Sequence, residues 1–294
     1  MRPLRLQRDL PVAGAGAVLS GGGGDGTAVP PDALEAAIAI ARGAGAILAE
    51  GFGRPGRLER KGAIDLVTDH DRASEEFILG EIRRRFPGHA VLAEESGGAA
   101  ANPAAPAPFR WIVDPLDGTT NFAHGLPFFC VSIALEVDGR RALGVLHDPL
   151  RDECFAARRG LGATLNGVPI RVSAERSLDD ALGCTGFPYD VREKPEETLR
   201  FFAPLLPRMR GVRRLGSAAL DLAYVACGRL DLFWEVKLHA WDVAAGILVV
   251  EEAGGRVTDF AGAPVAPEPI EIAATNGALH APLLSALADI PRLR

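Results

Sequence analysis

Asp71, Glu94, Asp114, Asp117 and Asp242 share one peculiarity: each stands where a strand-like apolar run ends or a helix begins, beside a small or polar residue. The local texts are "LVTDH", "LAEES", "WIVDPLDGTT" and "WDVAAG". Carboxylates at element edges can converge on one cleft although the chain separates them widely. Hard oxygen ligands of this kind suit magnesium, or manganese in its place, ions that want octahedral oxygen and keep several waters. Two such ions about 3.5–4 Å apart activate a water and neutralise the leaving oxygen in phosphoryl transfer. Gly118-Thr119-Thr120, directly after Asp117, offers backbone N–H groups to a phosphate if it opens a short helix. Thr119 is then placed to pass a proton from the water to a neighbouring carboxylate.

Taken singly, each fragment is ordinary. An Asp-Gly pair is usually a turn, "EES" reads as a solvated helix start, and Asp242 alone reads as an N-cap. Only their conjunction is specific, and it requires elements that bring them together.

Those elements can be read from the apolar rhythm. "PDALEAAIAIARGAGAILAEGF" reads as a helix with Asp32 as N-cap and Leu34, Ile38, Ala41, Ile47 and Leu48 near one face. "DLVTDHD" is short and β-like. "RASEEFILGEIRRRF" is a second amphipathic helix carrying Phe77, Ile78, Ile82 and Phe86, and "HAVLAEES" is a short strand. Gly97 to Pro108 reads as a surface loop. From Phe109 to about Ile170 the text is strand-like, with Gly, Asp and Asn as hairpin punctuation. From Leu182 helices ("EETLRFFAPLLPRM", "SAALDLAYVACGRL", "WDVAAGILVVEEAGG", "ALHAPLLSALADI") alternate with strands ("LDLFWEV", "RVTDF", "IEIAATN"). The expected organisation is a tail over residues 1–30 and one catalytic domain over 31–290. That domain has a sheet-containing half at about 31–170 and another at about 171–290. The glycines at 21–24 and the Pro30-Pro31 pair give the tail a flexible composition without periodicity.

The bulk composition excludes several classes. With 294 residues, 48% hydrophobic and 24% charged, the chain is that of an ordinary globular protein. A net charge of −6 argues against a nucleic-acid partner. No run of about 18 apolar residues exists, so no membrane partner is expected, and nothing indicates export; the expected home is the cytoplasm. Cys130, Cys154, Cys184 and Cys227 are far apart and read as small buried hydrophobes rather than disulfides.

Residues 61–71 ("KGAIDLVTDHD"), 92–97 ("LAEESG"), 111–133 ("WIVDPLDGTTNFAHGLPFFCVSI") and 241–255 ("WDVAAGILVVEEAGG") resemble, in order and spacing, the successive signatures of the inositol monophosphatase family. The resemblance covers about residues 31–290. It implies a layered αβαβα sandwich, an α/β (α+β) fold, and a magnesium-dependent, lithium-sensitive phosphatase that forms a homodimer. Carried over, Glu94, Asp114 and the carbonyl of Leu116 hold a first magnesium, and Asp114, Asp117 and Asp242 a second. A looser third ion lies near Glu94. Gly118 and Thr119 bind the phosphate through backbone N–H groups, and Thr119 backed by Asp71 activates the water. Lys61 matches a mobile-loop lysine. Ala93 stands where the family often has glycine, a small-for-small change.

For the substrate, the resemblance points to Glu235 as a carboxylate that bonds ring hydroxyls. Gly216-Ser217-Ala218 would line the ring, with Asp242 also at the substrate. The wording "TNFAHGLPFFCVSIAL" favours a small phosphorylated cyclitol or sugar, such as myo-inositol monophosphate. Histidinol phosphate, fructose 1,6-bisphosphate and 3′-phosphoadenosine 5′-phosphate are the alternatives within the chemistry, and a non-catalytic regulatory binding protein the alternative outside it. His124 and His239 read as structural, and Trp111, Trp234 and Trp241 as core anchors. Arg208, Arg210, Arg213 and Arg214 read as a solvated or dimer-interface face.

Overall fold

The computed structural model describes residues 27–54, 56, 58–60, 66–96, 108–266, 268 and 270–290. The chain opens with helices α1 (Ala33–Gly51) and α2 (Asp69–Arg85), between which β1 (Leu58–Arg60) and β2 (Leu66–Thr68) pair antiparallel. A seven-stranded sheet follows, its strands neighbours in chain order: β3 (Ala90–Ala93), β4 (Phe109–Asp117), β5 (Cys130–Val137), β6 (Arg140–Asp148), β7 (Glu153–Arg158), β8 (Ala163–Leu165) and β9 (Val168–Pro169). A five-residue helix, α3 (Thr119–Ala123), interrupts the sheet between β4 and β5. β3 runs parallel to β4 and every later pair is antiparallel.

The second half forms a mixed sheet of five strands: β10 (Leu182–Thr185), β11 (Gly211–Arg213), β12 (Leu232–Leu238), β13 (Arg256–Thr258) and β14 (Ile270–Thr275), in the order β11-β10-β12-β14-β13. Helices α4 (Pro195–Phe202), α5 (Ala218–Ala226), α6 (Ala240–Glu252) and α7 (His280–Ala288) accompany it.

Three apolar cores fill the four interfaces of five layers. The first joins α1 and α2 to one face of the large sheet through Ile40, Leu48, Ile78, Trp111 and Val131. The second lies where α5 and α6 fill the space between the sheets with Leu222, Ile247, Phe155 and Phe233. The third covers the outer face of the small sheet with Trp234, Leu283 and Leu287. This is the αβαβα sandwich that the resemblance implied, and the two sheets face each other across α5 and α6.

The first two helices differ from the sequence reading in four details. The core stripe of α1 is Ala33, Ala36, Ala37, Ile40, Ala41, Ala44 and Leu48, whereas Leu34, Ile38 and Ile47 are only partly buried. A helix lying close to a sheet takes its small residues inward, so the bulkier rhythm misled. Asp32 holds the N-cap position without a side-chain cap bond. In α2, Phe77 is exposed and the helix begins at Asp69, capped by Thr68.

The stretch read as a tail ends in contact with the fold. The Thr27 amide donates to Asp138 Oδ2 at 3.2 Å, and Val29 packs against the first core. Residues 1–26, Lys61 and residues 97–107 lie outside the described residues. Among the described residues, no helix is long and apolar enough to cross a membrane. Cys130, Cys154 and Cys184 are buried and Cys227 is half-buried, all as free thiols.

Candidate active site

The site is built around a fault in β4. In a regular strand, residues three apart face opposite sides of the sheet. Asp114 pairs with Ser132 and Asp117 with Cys130, so three steps on β4 match two on β5. That extra residue is a bulge, and it returns Asp117 to the side on which Asp114 stands. Pro115 sits inside the bulge, where a missing N–H costs no ladder bond. Its carbonyl accepts the Ser74 hydroxyl at 2.9 Å, and Asp114 Oδ1 accepts the Leu116 amide at 2.9 Å.

Gly118 follows with φ +95, a left-handed conformation that favours glycine. A Cβ there would lie 3.0 Å from the Phe128 carbonyl oxygen. The turn drops the chain into α3, whose first residue is Thr119. The Thr119 hydroxyl is 2.9 Å from Asp71 Oδ1 and 3.0 Å from the Leu116 carbonyl, both acceptors. Asp71 is fully buried at the start of α2, and its Oδ2 accepts from the Thr68 amide at 2.8 Å, completing a capping box. The expected Thr119–Asp71 pair is therefore in place, and Asp71 is a helix cap as well.

Asp117 Oδ2 accepts from Ser217 Oγ and, at 2.8 Å, from the Ala219 amide at the start of α5. Asp242 stands in the first turn of α6 and accepts the His239 amide at 2.7 Å. Its capping role is thus real, yet it also lines one pocket with Glu94, Asp114, Leu116, Asp117, Gly118 and Thr119. An adjoining pocket shares Asp117, Gly118, Thr119 and Asp242 and continues to Gly216, Ser217, Ala218, Asp221 and Glu235. All the described residues expected at the site meet in these two pockets except Asp71, which stands behind Thr119.

Their electrostatics are those of crowded negative charge. Burial pushes the Asp114 carboxyl well above its ordinary range, and Glu94, Asp117 and Asp242 push it further. Burial raises Asp117 to about 6 despite the hydrogen bonds from Ser217 and Ala219. Asp242 is raised by burial, Asp117, Glu94 and Glu235. Among the described residues no three of these groups are already drawn together as a metal-holding cluster. The hydrogen bonds named engage Oδ1 of Asp114 and Oδ2 of Asp117 and of Asp242. Crowded buried carboxylates with oxygen-only chemistry fit a hard divalent cation, which would compensate the repulsion.

Glu235 is buried, 8% exposed, and lines the far end of the pocket. Burial, with Asp221 beside it, raises its pKa to about 8, opposed by Arg214. A Cβ on Gly186 would lie 2.1 Å from its carboxylate, so only glycine lets that loop close over it.

Other expectations divide. Trp111 and Trp234 are core anchors, but Trp241 is half-buried at the pocket rim, stacked on His239 with ring centroids 4.7 Å apart. His239 lies 3.0 Å from Glu268, and His124 is exposed after α3. The arginine face is partly neutralised, with Arg208 paired to Asp289 and Arg210 to Asp180. Arg214 instead lines the pocket. Sequence reasoning missed Ser74 and Glu75, the latter accepting the Glu95 amide at 2.8 Å and so fixing the turn that carries Glu94. Their signal was available: with Asp71 they continue the buried stripe of Ile78, Leu79 and Ile82.

The fold is thus a layered α/β sandwich with an acidic pocket to which elements of both halves contribute. The chain belongs to the inositol monophosphatase family, whose model matches residues 31–292. It is 47% identical over 262 residues to the inositol-1-monophosphatase of Synechocystis, covering 88% of this chain and 90% of that one. Against the Nus factor SuhB of Pseudomonas aeruginosa it is 44% identical over 258 residues, covering 86% and 95%. The solved inositol monophosphatase of Anabaena is 46% identical with a TM-score of 0.79, over 88% of this chain and 96% of that one.

Proposed function

We propose that the protein is a magnesium-dependent phosphomonoesterase acting on a cyclitol or sugar monophosphate, with myo-inositol monophosphate as the leading substrate. The observation that carries the reading is the β4 bulge. It turns Asp114 and Asp117 into one pocket with Glu94 and Asp242, beside a Thr119 already bonded to Asp71. Family membership and the similarity to an inositol-1-monophosphatase support it.

Glu94, Asp114 and the Leu116 carbonyl would hold one ion, Asp114, Asp117 and Asp242 a second, and a looser third would lie near Glu94. Magnesium or manganese bound there would supply Lewis-acid neutralisation of the phosphoryl oxygens and the nucleophile. The residues do the rest. Gly118 and Thr119 present amides to the phosphate. Thr119 takes a proton from the attacking water as it passes its own to Asp71, whose other oxygen is held by Thr68. The ester oxygen leaves with the electron pair of the broken P–O bond. At the far end Glu235, with Gly216-Ser217-Ala218, meets the ring.

Phosphate release from a panel of monoesters, with and without magnesium, tests the reading. The panel includes myo-inositol 1-phosphate, histidinol phosphate, fructose 1,6-bisphosphate and 3′-phosphoadenosine 5′-phosphate. Undiminished turnover in chelator would overturn the metal role. The relatives named Nus factor SuhB favour a second reading, a regulatory partner role on the same fold. A chain that releases phosphate from no ester would turn the assignment that way.

A further inference from the structure

Lys237 is a non-glycine residue held at φ +63 near the end of β12, where the pairing with β14 shifts between Val236 and Leu238. That bulge turns its side chain away from the ladder. Its ammonium lies 2.6 Å from Asp190 Oδ2 and 2.7 Å from Glu197 Oε2. The first belongs to the loop after β10 and the second to the opening turn of α4. The same loop begins at Gly186, which rests directly on Glu235, and continues through Phe187, Pro188 and Tyr189 along the pocket wall. Residues 186–189 thus wall the Glu235 end of the pocket, with Tyr189 reaching the neighbouring pocket of Asp114 and Asp117, and one lysine ties the following stretch, at Asp190 and Glu197, to the strand that carries Glu235.

We propose that Lys237 is a positioning residue that latches the 186–197 strap over the ring-binding end of the pocket, and so sets affinity for the non-phosphate part of the substrate. A left-handed backbone at a lysine is a local cost that a surrounding structure must maintain. The two ion pairs recover it only while the strap is closed. The bonds from Lys237 hold Asp190 and Glu197 below the ordinary carboxylate range, as expected of carboxylates that stay charged. All three side chains are about one-third exposed, so the latch is open to screening by salt and can release.

The inference rests on the phosphomonoesterase reading for its substrate, but the latch is tested without it. Hydrogen–deuterium exchange is measured on the full chain for wild type, Lys237→Gly, Lys237→Arg and Glu197→Gln. Glycine accepts the positive φ, so the first variant loses the latch without adding strain. Exchange in peptides spanning 186–197 is expected to rise about tenfold in Lys237→Gly and in Glu197→Gln, while Lys237→Arg stays near wild type. In the same proteins KM for a cyclitol monophosphate is expected to rise about tenfold in Lys237→Gly and Glu197→Gln, with kcat retained. Glu197→Gln should leave turnover of a small aryl phosphate within about twofold of wild type. Unchanged strap exchange in both variants overturns the latch. If Lys237→Gly raises KM and Glu197→Gln does not, Lys237 touches substrate itself and the positioning role is wrong. A wild type that releases phosphate from no ester refutes the functional reading alone, because the exchange result still decides the latch.

Discussion

Asp117 and Ser217, 100 positions apart, share a hydrogen bond that joins the end of β4 to the cap of α5. The bond places a proposed metal ligand from the large sheet against the helix that lines the Glu235 end of the pocket. The site is therefore a joint between the two sheets rather than a property of either one.

Asp114 is buried against Glu94, Asp117 and Asp242, all of its own sign. In metal-stripped protein, Asp114→Asn should raise the melting temperature by relieving that repulsion. Phosphate release should collapse. Wild type should gain about 2.7 kcal/mol of stability at a magnesium concentration near 100 times its dissociation constant, and the variant should lose most of that gain. Thermal melts with and without magnesium read both effects. An equal gain in the two proteins would remove Asp114 from the metal site.

Glu235 should govern choice of substrate rather than chemistry. Removing the carboxyl leaves its hydrogen-bonding partner on the substrate unsatisfied in a buried site, which costs about 1–3 kcal/mol. Glu235→Leu should therefore lower the ratio of catalytic efficiencies, myo-inositol 1-phosphate over a small aryl phosphate, by about one to two decades. Glu235→Gln should fall less, because a carboxyl with its pKa near 8 already carries a proton at neutral pH. Equal losses on both substrates would assign Glu235 to the fold or the metal shell.

Gly118→Ala tests the turn between bulge and α3. The left-handed backbone and the 3.0 Å approach to Phe128 should together cost about 1–3 kcal/mol of stability. Turnover should fall more than stability, since the turn aims Thr119. A denaturation midpoint unchanged from wild type would show that the turn relaxes freely.

His280 makes stability depend on pH. The ring is 1% exposed, with its nitrogens 2.9 and 3.1 Å from the hydroxyls of Thr258 and Thr275. Burial, with Arg256 nearby, lowers its pKa from 6.5 to about 4. A folded value below the unfolded one means that the fold accepts the neutral ring. Its contribution is complete above about pH 6.5 and lost as pH falls through 4, a span worth about 3 kcal/mol. Urea midpoints should drop across that window, and His280→Gln should flatten the drop. The same slope in the variant would place the titration elsewhere.

Much of the site was legible because its parts are local texts. The strand-then-turn writing of 111–120 shows both carboxylates, the glycine and the threonine, and the start of α6 shows Asp242. The bulge was not legible, since it is a mismatch between two strands and neither strand states it. Ser74 and Glu75 lay on a legible buried stripe with Ile78 and Ile82, but the partners that give them a role, the Pro115 carbonyl and the Glu95 amide, are not stated by the helix. The core face of α1 was misread for a related reason: how closely a helix approaches a sheet decides whether alanine or isoleucine turns inward. Gly186 and Lys237 acquire meaning only from Glu235, Asp190 and Glu197, which no short stretch of sequence sets beside them.

The joint made by Asp117 and Ser217 also bears on the chain's birth. A ribosome delivers residues in order, so Glu94, Asp114 and Asp117 are complete long before α5 and α6 emerge. Until they do, the acidic edge of the first sheet has no opposing wall and Asp117 no cap. A nascent chain carries three of the carboxylates through about half its synthesis without a pocket. The protein is thus silent by construction until its second half has docked.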